Sequence, residues 1–222
     1  MTPLALRSLC STLTLACLPM LAQAQGSVAQ VFNGDMLGTN LRYFESIAGI
    51  ARTSSGDAHT YRVQGCEITA TAPGGTVNEL RLQLSPSCKA DLSTFISTFA
   101  PPANQPLTFG AMAESSGGDL EFYADCLSMC GNAYDPSVYA LWQGPRAVNF
   151  TEVLLEAVLN EDDAVAASSQ WAEVMQKSKG EDFVIDTRFN CEREFDEVAA
   201  QQFKAVKVTA VTIGTELTKP GC

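Results

Sequence analysis

Tyr61-Arg-Val-Gln-Gly-Cys-Glu-Ile-Thr-Ala-Thr-Ala-Pro-Gly-Gly-Thr-Val-Asn-Glu-Leu-Arg-Leu-Gln-Leu84 carries the pattern that decides the fold class. Tyr61 and Val63 flank Arg62. Cys66, Ile68 and Ala70 then alternate with Glu67 and Thr69, and Leu80, Leu82 and Leu84 alternate with Arg81 and Gln83. A period of two sends successive side chains to opposite faces of a pleated strand, so each run predicts a half-buried strand. Gln64-Gly65 fits either a bulge in one strand or a tight turn between two. Pro73-Gly74-Gly75 is a turn, and so short a link makes the next strand antiparallel to the last.

Outward from this hairpin the period changes. Before it, Leu37, Leu41, Phe44 and Ala48 recur on one helical face, which predicts a helix from Asp35, capped by Asn33 or Asp35 and ending near Gly49. After it, Ser87 is placed to cap a helix with the stripe Leu92, Phe95, Ile96 and Phe99, and Cys88 lies at its start. Residues 101–106 follow, three prolines within Ala100-Pro-Pro-Ala-Asn-Gln-Pro106, a stiff stretch excluded from helix interiors and central strands. It reads as a linker between a helix plus antiparallel-sheet unit (25–100) and an acidic α+β unit (107–222).

In the second unit, 107–112 and 120–123 read as strands around the turn at 115–118, and 138–142 as another. Residues 150–159 fit both periods, and their β-branched content favours a strand. A helix capped by Asn160 follows, with Ala164, Ser168, Trp171 and Met175 inward and Lys177, Lys179 and Gly180 at its end. Residues 182–187 read as a short strand. Asn190 starts a helix with Phe195, Val198, Ala199 and Phe203 inward, and 204–213 is the last strand. The expectation is an α+β fold: antiparallel sheets with packed helices, in two small disulfide-stapled units joined by a Pro-rich linker. In outline this resembles exported inhibitors built from small helix-on-antiparallel-sheet modules, a likeness of fold alone.

Residues 1–24 read as a secretory signal peptide. Arg7 supplies the basic region, 9–21 the apolar run, and Ala22-Gln23-Ala24 a small-x-small cleavage site. A rival reading makes Cys17 a lipidation site. No later stretch is long and apolar enough to span a bilayer, so no integral membrane segment is expected after signal cleavage. The expected location is periplasmic or secreted. Cys66, Cys88, Cys126, Cys130, Cys191 and Cys222 remain, an even set that reads as disulfides in an oxidising space. Neighbourhood suggests Cys66 with Cys88, Cys126 with Cys130, and Cys191 with Cys222.

Charge is uneven. Residues 25–110 hold 5 Lys/Arg and 6 Asp/Glu, and 111–222 hold 8 and 19, so the halves carry −1 and −11. Such a surface repels phosphates, which argues against nucleic acid and suits a cationic exported protein as partner, or calcium. Catalytic patterns are sparse. His59 is the single histidine, and no zinc pair, phosphate loop or nucleophile elbow is present. Three readings follow. The first is a non-enzymatic, inhibitor-like binding module with Tyr134, Tyr139, Trp142 and Arg146 as candidate partner-binding residues. The second is an enzyme: a thiol-disulfide oxidoreductase using Cys126 and Cys130, or a hydrolase using acidic residues such as Glu152 and Glu156. The third is a calcium-stabilised structural module using Asp125, Asn132 and Asp135.

Overall fold

The computed structural model describes residues 26–127, 136–185 and 189–222. Among them, eight strands form one antiparallel sheet: β1 (Thr53–Ser55), β2 (Ala58–Val63), β3 (Cys66–Thr71), β4 (Glu79–Gln83), β5 (Glu121–Ala124), β6 (Ser137–Gln143), β7 (Glu152–Val158) and β8 (Ala210–Gly214). Their order is β1-β2-β3-β4-β8-β7-β6-β5. The C-terminal strand thus lies between β4 and β7, with Leu80 opposite Ile213 and Val153 opposite Ile213 on the other side. Chain on both sides of the Pro-rich segment shares this sheet, where the sequence suggested a separate sheet for each unit.

Alternation sorts the side chains as expected. Tyr61, Val63, Ile68, Ala70, Leu80 and Leu82 are fully buried, as are Val153, Leu155, Val211 and Ile213. They face a layer made of α1 (Val28–Val31), α2 (Leu41–Ala48), α3 (Ser93–Ile96), α4 (Phe109–Ser116), α5 (Asp162–Lys179) and α6 (Asp196–Gln202). Aromatic contacts join the layers along their length, with ring centroids 5.1 Å apart for Phe44 and Tyr61, 5.4 Å for Phe99 and Trp142, and 5.8 Å for Phe109 and Phe122. The opposite face is polar except near β5 to β7, where Tyr123 and Leu141 pack under Leu217 of the C-terminal tail.

Of the two readings of Gln64-Gly65 the tight turn holds: both residues take positive φ, 50° and 88°, and join β2 to β3 as a two-residue hairpin. Several other local expectations need correction. The first long helix starts at Leu41, because the Asn40 side chain accepts the Arg42 N–H; Asn33 instead caps a separate 3-10 turn. Ser87 caps nothing: Asp91 Oδ1 accepts the Ser93 N–H, which shortens the expected helix to one turn. Residues 107–112 were expected as strand and 115–118 as turn, but Phe109–Ser116 is a helix: Thr108 Oγ1 accepts the Ala111 N–H, and Phe109 and Met112 are buried at i, i+3. Asn160 does not cap α5; Glu161 occupies that position. Glu181–Val184 is a 3-10 turn, where a strand was expected. The last strand is confined to 210–214, and Val206 and Val208 reach the core from irregular chain.

Two disulfides are as the spacing suggested, Cys66–Cys88 and Cys191–Cys222. The expected pairing of Cys126 with Cys130 lies outside the described residues, since Cys130 falls within 128–135. The outer edge of β5 is closed by side chains. Asn190 Nδ2 donates to the Phe122 carbonyl at 2.6 Å, and Asp196 Oδ1 accepts the Phe122 N–H at 3.0 Å. An amide and a carboxylate thereby take the place of a partner strand at Phe122.

Candidate functional site

The turn joining β6 to β7, residues 144–151, presents two exposed recognition-type side chains on a fixed frame. Gly144 N–H donates to the Thr151 carbonyl at 3.0 Å, Val148 N–H and Phe150 N–H both reach the Pro145 carbonyl, and Asn149 N–H reaches that of Arg146. Val148 is buried and plugs the turn to the core. Gly144 is required, because a Cβ there would lie 2.3 Å from the Thr151 carbonyl oxygen. The frame drives Asn149 and Phe150 into consecutive positive φ values, 55° and 57°. Asparagine tolerates this region; a bulky residue does so at a cost of roughly 1–2 kcal/mol.

The turn's hydrogen bonds, among them Phe150 N–H to the Pro145 carbonyl at 3.2 Å, hold this conformation, while Phe150 itself is 62% exposed and recovers little of the cost in packing. Arg146 is also exposed and is the single charged residue of 144–151 in a chain of net charge −11. An exposed aromatic and an arginine on a rigid turn are the residue types and the preorganisation that make interface anchors. Phe150→Asn is therefore expected to raise the free energy of unfolding by about 0.5–1 kcal/mol, read as a higher urea midpoint with unchanged slope. A lower midpoint would mean that the ring contributes to the fold itself.

A groove of about 910 Å³ opens at the other end of the sheet, beyond Val158 of β7. Leu84, Leu107, Val158, Val206 and Val208 supply apolar lining. Residues 84–90, tethered by the Cys66–Cys88 disulfide, form one wall, and 103–107 of the Pro-rich segment form another. The first turn of α5 brings Glu161, Asp162 and Asp163, while Lys89 and Lys207 carry the opposing charge.

The polar sheet face is cross-linked by its carboxylates. Glu156 accepts from Arg81 at 2.7 Å and from the Ser137 hydroxyl at 3.1 Å. Asp125 Oδ1 accepts the Cys126 and Ser137 N–H groups. Burial, and then the nearby Glu156 and Asp125 charges, push the Tyr139 hydroxyl up to about 12. Glu152 accepts from Gln143 and from the Leu217 N–H. Glu121 accepts from Tyr123, Lys219 and Arg193. Each of these carboxylates ties one strand to another strand or to the tail.

The sequence-derived candidates separate. Trp142 is 3% exposed and packs on Phe99, which makes it a core residue and removes it as a partner anchor. Tyr139 is half-buried on the polar face, Arg146 stands on the turn, and Tyr134 lies outside the described residues. So do Asn132 and Asp135 of the calcium reading. Among the described residues, no group of three or more His, Cys, Asp or Glu side chains is placed to hold a metal ion. His59 Nδ1 lies 2.9 Å from the Ser54 hydroxyl, a cross-strand pair on the β1–β2 hairpin. Sequence reading missed Phe150 by assigning it to the following strand. The signal was the turn composition of Gly144-Pro145 and Asn149, which places Phe150 in the turn. Comparison of the chain with protein-family models, curated proteins and solved structures finds no match.

Proposed function

We propose that this chain is an exported, non-enzymatic protein that binds another protein, in the manner of an inhibitor module. The observation that carries the reading is the β6–β7 turn, where Phe150 is held mostly exposed at φ 57° on the same turn as exposed Arg146. Proteins retain local backbone strain chiefly where function uses it. Two disulfides and the leader-like residues 1–24 support export.

Charge supports a cationic partner. Residues 161–197 hold 11 Asp/Glu against 4 Lys/Arg. Glu161, Asp162, Asp163, Glu181, Asp182, Glu192 and Glu197 in that stretch are exposed. A field of this sign speeds encounter with a positive surface, and the turn then supplies the fixed contact. The test is capture from envelope extract at low salt on immobilised wild type, Phe150→Asn and Arg146→Ala, with bound proteins quantified by mass spectrometry. The expected result is a protein retained by the wild type, weakened by each substitution and released by salt. Identical retention on all three chains would remove the turn from the binding site.

A further inference from the structure

We infer that the groove beyond Val158 receives the β6–β7 turn of a second copy of this chain, so that molecules associate head to tail; the inference rests on reading Arg146 and Phe150 as binding residues, and it sets their local fit to the groove above the repulsion between two chains of net charge −11, which favours a cationic partner. Both halves of the contact are present in one molecule but cannot meet there. The turn precedes β7 and the groove lies past its last residue, so the length of the seven-residue strand separates them, roughly 20 Å at about 3.3 Å per residue. The contact is therefore made between molecules, and where the turn of one copy enters the groove of the next in one direction the interface is heterologous and repeats; a wild type that stops at a closed dimer overturns the head-to-tail arrangement.

The two surfaces match in chemistry. The turn offers an aromatic ring and one cation and no acid; the groove offers an apolar lining with Glu161, Asp162 and Asp163 together at the start of α5. With Lys89 and Lys207 included, the lining charge is −1, opposite to that of the turn. The volume, about 910 Å³, lies in the range of sites that enclose several side chains and far above what one ion needs. Because the hydrogen bonds of 144–151 already fix the turn, docking it orders little new chain.

Sedimentation equilibrium of the full chain lacking residues 1–24 tests this over a wide concentration range. Wild type should show concentration-dependent species larger than a dimer, since a heterologous contact repeats. Phe150→Asn alters the turn, and Ala103→Trp fills the groove from an exposed wall position. Each variant alone should be monomeric. An equimolar mixture of the two should form a dimer and nothing larger, because one intact turn meets one intact groove. The mixing step also shows that both variants are folded.

A wild type that stays monomeric throughout, a variant that still associates by itself, or a mixture that stays monomeric beside an associating wild type overturns the inference. Retention of a foreign protein by the turn in the extract experiment is read separately. Foreign capture with a monomeric wild type leaves the binding function standing and removes only the second copy as partner.

Discussion

Trp171→Ala is expected to lower the free energy of unfolding by about 4–5 kcal/mol and to leave a chain close to the limit of folding. Trp171 is fully buried on the inner face of α5. Its ring lies 5.6 Å from Phe189 and 5.8 Å from Phe203 in edge-to-face contact, with Phe122 of the sheet at 6.5 Å. Truncation opens a cavity that these rings, themselves held by neighbours, cannot close.

A second loss adds to the first. The indole N–H donates to the Phe195 carbonyl at 3.0 Å in a buried setting, and its removal leaves that oxygen without this donor. Trp171→Phe separates the contributions: most of the ring area stays, the donor goes, and the expected cost falls to about 1–2 kcal/mol. Urea unfolding of both variants checks the pair. Equal costs would mean that the hydrogen bond dominates and that the layer repacks freely.

The same helix shows how much of the fold could be read in advance. Ala164, Ser168, Trp171 and Met175 repeat at the helical period over about three turns, and all four are buried. Long repeats of this kind are legible because every turn casts the same vote. The strands expected at 107–112 and 182–187 are not legible in this way, because such stretches are short and a single cap or turn decides them.

The sheet order was illegible for a different reason. Alternation in 210–214 says which residues face the core and says nothing about which strands lie alongside. That β8 enters between β4 and β7 depends on contacts far apart in sequence, 126 residues for Gln83 with Thr209 on the β4 side. The Pro-rich segment is irregular, as its prolines dictate, and irregular chain can border a groove as well as separate two units. At the candidate site, Arg146 was legible from its type and its place in a turn. Phe150 was not, because its exposure follows from a positive φ that hydrogen bonds among 144–151 impose.

Glu121→Gln is expected to cost about 2 kcal/mol at neutral pH and progressively less as pH falls. The carboxylate is the hub of the clamp on the tail: it accepts from Arg193 at 2.8 Å, from Lys219 at 2.9 Å and from the Tyr123 hydroxyl. Its side chain is 10% exposed, but Arg193 and Lys219 are 44% and 42% exposed, so water screens the pairs and the cost lies below that of breaking a fully buried one. Burial alone would push the Glu121 carboxyl up; the Tyr123 and Lys219 hydrogen bonds and the Arg193 and Lys219 charges outweigh it and hold the group below its ordinary value.

A depressed folded-state pKa contributes stability that is complete above the unfolded-state value, about 4.3, and is lost as pH falls through the folded value. Wild type and Glu121→Gln should therefore differ most at pH 6 to 7 and converge in strong acid. A gap that stayed constant across that range would assign the effect to shape and not to charge.

The Cys191–Cys222 bond closes the same tail from its other end. In a Cys191→Ser/Cys222→Ser background the tail is free to fray, so Lys219 is held beside Glu121 for less of the time. The cost of Glu121→Gln should then shrink, a coupling between disulfide and hub that a double-mutant cycle measures. Strict additivity would mean that the ion pairs hold Lys219 in place without help from the disulfide.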